Sequence, residues 1–232
     1  MPKELKDYPH YEYKNGIIYQ GDCLEIMPLL KSQSIDLVLT DPPYNAGREY
    51  ENDNLSEIEY LNFTNSYLNE SKRVLRDEGN LVVIVGVKYQ KPITMWLFNN
   101  MNYCWEFCWW KSNGMLNGKA TFSKFEKVLW FSKREGTYYR QKPEYTDVWN
   151  IPIRVKENNN GHPTPKDVRG IKRICYLLSK QGDTILDPFM GSGTTGVACA
   201  ELHRNFIGIE INEKYFNIAK RRIESVNQSF NF

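Results

Sequence analysis

Short apolar runs alternate along the chain with segments whose apolar residues recur at helical spacing. Seven runs predict β-strands: GIIYQG, IDLVLT, LVVIVGV, YCWEFCWW, EKVLWFSK, TILDPF and NFIGIE. The helical spacing predicts helices over residues 22–30, 58–75, 165–178, 194–202 and 213–226. Strands that alternate with helices form a mostly parallel sheet that is covered on both faces. The pattern therefore predicts an α/β fold built on a seven-stranded sheet.

Length and composition narrow the class of protein. The 232 residues are enough for one large core, and we expect one domain, 1–232, with an insertion at 133–161. The longest apolar run, LVVIVGV, is too short to span a bilayer, and the first 14 residues contain no apolar run that would predict a signal peptide. The five cysteines are scattered and include no CxxC pair. These features predict a reduced, cytoplasmic protein without a zinc site or a membrane partner.

Charge is unevenly distributed along the chain. The net charge is only +2, but residues 111–173 contain 14 Lys and Arg against 6 Asp and Glu. A basic segment within a mildly acidic chain indicates that a polyanion contacts one face. A solvated, lysine-rich surface would give the same count, so charge alone leaves both interpretations open.

The stretch LVLTDPPYNAG, at residues 37–47, ends an apolar run with an acid, two prolines and an aromatic residue. Pro42 and Pro43 remove two backbone donors and fix two φ angles, so neither a helix nor a strand can continue. The segment is stiff and extended, and it holds Asp41 and Tyr44 in place. Ligands of open parallel sheets bind beyond the carboxyl ends of the strands. This stretch is therefore a candidate active-site segment.

A second motif, TILDPFMGSGTTGVACAEL, begins at Thr184. Its glycines spell GxGxxG, at Gly191, Gly193 and Gly196. Such glycines allow a tight turn and a close backbone approach to a ligand at a helix N-terminus. Seventeen residues after Gly193, the strand NFIGIE ends in Glu210, which is placed to accept hydrogen bonds from ribose hydroxyls. The motif predicts a cofactor that contains a nucleoside.

The position of this motif argues against a dinucleotide such as NAD. Only 22 residues follow Glu210, so the N-terminal strands have to complete the sheet. That order is permuted relative to a standard dehydrogenase, and no second nucleotide-binding half is visible. We expect a cofactor with one nucleoside.

The two motifs together resemble the S-adenosylmethionine-dependent amino-methyltransferases of DNA. DPPY at 41–44 followed by DPFMGSGTT at 187–195 is similar to the motif order of their beta group. GDCLEIMPLL, WWKSN, FEKVLWFSK and GHPTPK also resemble segments of that family, in the same order. The resemblance implies a Rossmann-like methyltransferase sheet with circularly permuted motifs, S-adenosylmethionine as methyl donor, no metal, and double-stranded DNA as substrate.

The resemblance also implies roles for individual residues. The exocyclic amine of a base would donate its two N–H groups to Asp41 and to the Pro42 carbonyl, Pro43 would keep that carbonyl rigid, and Tyr44 would stack on the flipped base. The implied cofactor-binding residues are Asp22, Cys23, Asp41, His162, Thr164, Lys166, Asp187, Pro188, Phe189, Gly191, Ser192, Gly193, Thr194, Thr195, Glu210 and Ile211. For Asp22 a second interpretation is open, namely that it caps the helix that follows.

The insertion at 133–161 is the implied target-recognition region. Its expected DNA-binding residues are Arg134, Arg140, Lys142, Arg154 and Lys156. Two positions depart from the family pattern: Pro165 stands where glutamine is usual in HPTQK, and Phe125 stands where a histidine is common. Neither departure touches DPPY or the glycine motif, so we expect an active enzyme.

Four functions remain open at this point. The favoured one is methylation of adenine N6, because Asp leads the motif, whereas Ser is more typical of the cytosine-N4 enzymes of the family. Cytosine-N4 methylation is the second. A non-catalytic nucleic-acid-binding subunit with the same fold is the third, and a dehydrogenase is the fourth. The sequence leaves open whether the chain forms a homodimer, and whether it accompanies a cognate restriction endonuclease in a restriction-modification system.

Overall fold

A computed structural model of the chain describes residues 3–45, 55–86, 90–112, 116–117, 122–139, 146–152 and 166–228. The strands are β1 (His10–Tyr13), β2 (Gly16–Gln20), β3 (Ile35–Thr40), β4 (Leu75–Val85), β5 (Asn102–Trp110), β6 (Leu116–Asn117), β7 (Phe122–Ser123), β8 (Phe125–Ser132), β9 (Val148–Asn150), β10 (Thr184–Asp187) and β11 (Asn205–Glu210). The helices are α1 (Cys23–Ile26), α2 (Glu57–Val74), α3 (Gln90–Asn100), α4 (Val168–Leu178), α5 (Thr194–Leu202) and α6 (Glu213–Gln228).

The main sheet has the strand order β1-β2-β11-β10-β3-β4-β8-β5-β9, and β6 pairs with β7 in a separate ribbon. The neighbours β2, β11, β10, β3 and β4 all run parallel, while β1 and β8 run antiparallel to their partners. All seven predicted strands are present. The sheet has nine strands instead of the predicted seven, because β1 and β9 were not anticipated.

Helices cover both faces of the sheet, as the alternation predicted. Side chains of β3 alternate between the two faces: Leu37 and Leu39 pack in a core with α4, α5 and α6, whereas Val38 packs in a core with α1, α2 and α3. This alternation follows from the two-residue repeat of a strand. β3 is apolar on both sides because it lies in the middle of a covered parallel sheet.

The helices differ most from the prediction at α3, α4 and α1, while α2 and α6 differ by one or two residues at their ends. α3 was not anticipated; it buries Ile93, Trp96 and Leu97 on one face. α4 begins at Val168, capped by the Asp167 side chain, rather than at 165. The first helix is also shorter, since α1 gives way to a 3-10 turn at Met27–Leu29. Among the described residues no helix is both long and apolar enough to cross a membrane.

The strand directions bring distant segments to one edge of the sheet. β4 and β5 are both antiparallel to β8, so β5 ends where the parallel strands end and β8 begins there. The carboxyl edge of the sheet therefore collects the residues after β3, β10 and β11 together with the first residues of β8.

Candidate active site

Four acidic residues stand along the carboxyl edge of the sheet. Asp22 follows β2, Asp41 follows β3, Asp187 ends β10 and Glu210 ends β11. Because β2, β11, β10 and β3 are neighbours, these acids lie along one edge of the sheet. Ligands of open α/β sheets bind at this edge.

Asp41 has both carboxylate oxygens engaged by side chains. The Tyr44 hydroxyl donates to Oδ1, and Lys166 Nζ lies 2.8 Å from Oδ2. The same hydroxyl is 3.3 Å from the Ile84 carbonyl of β4. The Tyr44 ring rests on Gly86, where an added Cβ would lie 3.1 Å from the ring. The DPPY segment is therefore held against β4 as well as β3.

Two further contacts fix the ends of the DPPY segment. The Tyr60 hydroxyl of α2 donates to the Pro43 carbonyl at 3.1 Å. Asn45, with φ +50°, exchanges two hydrogen bonds with the backbone of Leu55, at 2.8 and 2.7 Å. These contacts keep the segment extended, as the two prolines predicted.

Behind Asp41 lies a cluster of buried ions. Lys166 Nζ also contacts Glu126 Oε1 at 3.1 Å, and Lys111 Nζ contacts Glu126 Oε2 at 2.8 Å. Glu126 is only 5% exposed, and the side chains of Lys166 and Lys111 are 11% and 15% exposed. Asp41, Lys166, Glu126 and Lys111, here called the charge cluster, contain two cations and two anions.

The charge cluster fixes the ionisation of its members. Burial opposes the ionisation of Glu126, but the charges of Lys166 and Lys111 outweigh it and lower its pKa to about 2. Burial likewise opposes the charge on Lys166, yet Asp41 and Glu126 raise its pKa above the usual value. Burial raises the pKa of Asp41, and the charge of Lys166 counteracts that rise. Burial, reinforced by the charge of Asp41, raises the pKa of Tyr44, so its hydroxyl keeps its proton.

Sequence reasoning missed Glu126 and Lys111. Glu126 shares a strand face with Val128 and Trp130, whose side chains pack in the core, so a charge at this position had to find a buried partner. The alternation along EKVLWFSK was the available signal. The identity of the partner depends on the pairing of β8 with β4 and β5, which the sequence does not display.

The glycine motif forms a tight loop between β10 and α5. Gly191 and Gly193 have φ of +55° and +81°, and a Cβ on Gly193 would lie 2.7 Å from the Ala219 Cβ. Gly193 is the N-cap of α5 and gives it no side-chain cap. The first N–H groups of α5 therefore have no cap side chain, and helix N-termini of this kind bind anionic groups.

Glu210 closes the loop from the neighbouring strand. Its Oε2 accepts from the Gly191 N–H at 2.7 Å, and its Oε1 accepts from the Asn212 N–H at 2.9 Å. Glu210 therefore stands at the end of β11 next to the glycine loop, the position at which an acid accepts hydrogen bonds from ribose hydroxyls in open α/β sheets.

Asp187 sits beneath the same loop. Its Oδ2 accepts from the Thr195 hydroxyl at 2.5 Å and its Oδ1 from the Phe189 N–H at 3.1 Å. Burial raises the pKa of Asp187 to about 7 despite these hydrogen bonds. From α6, Arg222 donates to the Ser192 carbonyl at 2.6 Å and so fixes the other side of the loop.

The other predicted site residues divide into two groups. Asp22 accepts from the Leu24 N–H at 2.8 Å and thus caps α1, and Cys23 is buried. The capping interpretation of Asp22 is confirmed, and its predicted cofactor contact stays a prediction. Six predicted residues lie outside the described residues: Arg140, Lys142, Arg154, Lys156, His162 and Thr164. The described part of the chain contains no group of three or more His, Cys, Asp or Glu side chains that could hold a metal ion.

A family model described as DNA methylase, covering N6 and N4 methyltransferases, matches residues 35–221. The chain belongs to this family. The chain is 30% identical over 234 residues to the type II methyltransferase M.HpaI of Haemophilus parainfluenzae, and the alignment covers 90% of this chain and 74% of that protein. It is also 30% identical over 266 residues to M.ScaI of Streptomyces caespitosus, covering 98% and 87%.

Solved structures share the fold of the methylase. The cytosine-N4-specific PvuII DNA methyltransferase superposes with a TM-score of 0.79 at 22% identity, covering 95% of this chain and 93% of that one. The M1.HpyAVI–SAM complex gives a TM-score of 0.68 at 28% identity, covering 89% and 98%. TTHA0409 of Thermus thermophilus, complexed with S-adenosyl-L-methionine, gives 0.71 at 23%, covering 92% and 95%. These likenesses confirm the expected Rossmann-like methyltransferase sheet.

Proposed function

We propose that this methylase transfers a methyl group from S-adenosylmethionine to the exocyclic N6 of an adenine flipped out of double-stranded DNA. The observation that carries the proposal is Asp41, an acceptor fixed at the end of β3 beside the glycine loop that follows β10. A methyl donor held by that loop and an amine held by Asp41 would meet at one edge of the sheet.

The chemistry requires an acceptor of this kind. The lone pair of an exocyclic amine is delocalised into the ring of the base, which makes the nitrogen a poor nucleophile. Hydrogen bonds from its two N–H groups to Asp41 and to the Pro42 carbonyl would make the nitrogen more tetrahedral and direct its lone pair toward the methyl group. After transfer the nitrogen carries a positive charge and loses a proton, so no base is needed to begin the reaction.

The residues around the glycine loop fit S-adenosylmethionine. Glu210 stands at the end of β11, where an acid is placed to bind the ribose hydroxyls, and the start of α5, which has no side-chain cap, offers N–H groups to an anionic group. Asp22 is the candidate to bind the adenine of the cofactor, and Lys166 is the candidate to bind its amino-acid end. When bound, the cofactor supplies a sulfonium methyl whose carbon–sulfur bond breaks as the carbon–nitrogen bond forms. The similar M1.HpyAVI and TTHA0409 structures are complexes with this cofactor, which supports the same donor here.

Tyr44 has the properties of a stacking residue for the flipped base. Stacking on an aromatic side chain is worth about 1–3 kcal/mol per base. Unstacking the base from the duplex costs a few kcal/mol, so stacking and the two hydrogen bonds together would balance it. Because the Tyr44 hydroxyl is tied to Asp41, the ring and the acceptor carboxylate keep a fixed relation.

Adenine is proposed as the base because Asp leads the DPPY motif. Cytosine-N4 transfer would use the same carboxylate and the same loop, and it is the second candidate. A non-catalytic subunit is disfavoured by the intact acceptor and glycine loop. A dehydrogenase is disfavoured by the permuted order of the motifs.

We keep 133–161 as the proposed target-recognition insertion of a single methyltransferase domain. Of its described residues, Arg134 has a 74% exposed side chain, which suits it to a phosphate or a base edge. Trp149, by contrast, is buried against Phe107 and Trp109 and therefore supports the core. A homodimer, a cognate restriction endonuclease and a cytoplasmic location stay predictions.

The test is to incubate duplex DNA of varied sequence with the protein and methyl-labelled S-adenosylmethionine, then to analyse the nucleosides. We expect labelled N6-methyladenine. Labelled N4-methylcytosine would overturn the choice of base and retain the family chemistry. No labelled nucleoside with any duplex would contradict the proposed activity on DNA.

A further inference from the structure

Lys166 is shared between two carboxylates that compete for it. Its Nζ lies 2.8 Å from Asp41 and 3.1 Å from Glu126. The second oxygen of Glu126 is held by Lys111 at 2.8 Å, so Glu126 cannot follow Lys166 toward Asp41. The Lys166 ammonium group therefore lies between Asp41, the acceptor of the proposed reaction, and Glu126, a buried anion that Lys111 holds in place.

This sharing matters because Lys166 and a substrate amine need the same oxygens. The Tyr44 hydroxyl already donates to Oδ1 of Asp41, and Lys166 occupies Oδ2. An ammonium group bound to Asp41 alone would hold Oδ2 tightly, because the Lys166 side chain is only 11% exposed and ionic hydrogen bonds are strong where most water is excluded. A second anion behind the lysine weakens that hold.

We propose that Glu126 is a positioning residue for methyl transfer, which shares Lys166 and thereby keeps the Asp41 carboxylate available to the substrate amine. This inference rests on the proposed function. Glu126 acts through Lys166 and does not itself touch the substrate. Lys111 has the supporting role of fixing the second oxygen of Glu126.

The charge balance gives the proposal a signature in pH. The groups that face Asp41 are Lys166, Tyr44, Glu126 and Lys111, together with Asp187 at the end of β10. The negative charge of Glu126 raises the pKa of Asp41. Removing that charge lowers this pKa, so the acidic limb of the rate profile moves to lower pH while the rate itself falls.

The experiment compares Glu126→Gln with the wild type by single-turnover methylation of duplex DNA between pH values of about 4.5 and 9, a range that starts just above the ordinary pKa of an aspartate. We expect the rate constant of the variant to fall about 10- to 100-fold, with its acidic limb at lower pH. The dissociation constant for S-adenosylmethionine should stay within about twofold of the wild-type value.

The matched control is Glu106→Gln. Glu106 lies on β5 and pairs with Lys127 of β8 at 2.9 Å, and both of these side chains are partly exposed. It should leave the rate and the limb unchanged.

A second variant covers loss of folding, because removing one member of a buried ion pair leaves the other uncompensated. Glu126→Gln combined with Lys111→Met restores a neutral cluster and leaves Lys166 with Asp41 alone, so its rate should also stay about tenfold low or lower. A wild-type rate in either folded variant would overturn the inference, as would a fall in rate with an unshifted acidic limb in Glu126→Gln. If the wild type itself methylates no duplex, the proposed function fails and this inference fails with it.

Discussion

The charge cluster and the glycine loop lie on the same edge of the sheet but are built in opposite ways. The glycine loop is local: its shape depends on the positive φ of Gly191 and Gly193 and on backbone N–H groups within a few residues. The charge cluster is assembled from four segments that are far apart in sequence, and side-chain ions hold it together. The first region shapes a binding site with the backbone, and the second prepares an acceptor with charge.

This difference predicts how each region fails. A buried ion pair is costly to break because the remaining partner stays charged and unpaired. A glycine loop fails when a side chain forces its backbone into another conformation. Changes at Asp41 and Glu126 should therefore reduce transfer at nearly constant cofactor affinity, changes to the loop should do the reverse, and a change at Lys166, a candidate cofactor contact, should affect both.

The largest effect is expected for Asp41→Ala. It removes the proposed acceptor and leaves Lys166 beside Glu126 only, so single-turnover methyl transfer should fall by about 1,000-fold or more. Isothermal titration should show an S-adenosylmethionine affinity within about threefold of the wild type. Asp41→Asn keeps an acceptor oxygen but loses the charge, so its rate of methyl transfer should lie between the rates of Asp41→Ala and the wild type. Transfer by Asp41→Ala at the wild-type rate would show that Asp41 is not the acceptor.

Gly193→Ala should act on the other region. The alanine would need φ +81° and would bring its Cβ within 2.7 Å of Ala219, so we expect a loss of about 1–3 kcal/mol in the free energy of unfolding and about tenfold weaker cofactor binding. Gly182→Ala is the control, since Gly182 has φ +83° but open space around it. It should cost about 1 kcal/mol and leave cofactor affinity unchanged. Equal effects of the two variants on affinity would contradict a close-packed loop.

Tyr44→Phe separates the hydroxyl from the ring. Loss of the hydroxyl removes one donor from Asp41 and should slow transfer about tenfold, whereas Tyr44→Ala also loses stacking and should slow it about 100-fold or more. Tyr60→Phe removes the donor to the Pro43 carbonyl and should slow methyl transfer less than Tyr44→Phe does. Rapid-quench kinetics with duplex DNA would rank the three, and a slower Tyr60→Phe than Tyr44→Ala would contradict the stacking role.

Asp187 predicts a pH dependence of stability. Its pKa is about 7 in the folded protein, above the ordinary value near 4, so the folded state binds more protons between those values. The contribution of Asp187 to stability therefore falls as pH rises from about 4 to 7 and is level above. Thermal unfolding without cofactor should show a melting temperature that falls between about pH 4 and 7 in the wild type, and Asp187→Asn should lose this fall. Each kcal/mol of stability corresponds to about 2–4 °C in melting temperature. Identical slopes in the two proteins would contradict a protonated Asp187.

The smallest effect is expected for Arg134→Glu, since a single exposed contact contributes little to the total affinity for DNA. Affinity for duplex DNA should weaken a few-fold, with a shallower dependence on salt, while cofactor affinity is unchanged. Fluorescence anisotropy at two salt concentrations would measure it. Equal loss of DNA and cofactor binding would count against a separate DNA face.

The glycine loop could be predicted from the sequence because its determinants are contiguous. GxGxxG, a preceding strand and a terminal Glu210 stand within one βαβ unit, and the structure brings them together at one sheet edge. The DPPY segment was predictable for the same reason, since two prolines next to a strand end leave few conformations.

The charge cluster could not be predicted because its members meet through long-range pairing. Lys111 lies beside Glu126 because β5 pairs with β8, and Glu126 lies near Asp41 because β8 pairs with β4 and β4 pairs with β3. The resemblance assigned Lys166 to the cofactor, and the structure adds its contacts with Asp41 and Glu126. The missed elements were weak local signals: β9 has three residues, and α3 has proline in its first turn.

The most direct test measures two quantities side by side on two variants, Asp41→Asn and Gly193→Ala. The quantities are the affinity for S-adenosylmethionine and the single-turnover rate with saturating cofactor and duplex DNA. We expect that Asp41→Asn keeps the affinity and loses a large part of the rate, and that Gly193→Ala loses affinity and keeps most of the rate. Loss of both quantities in equal proportion by both variants would contradict the division of the site into an acceptor region and a cofactor region.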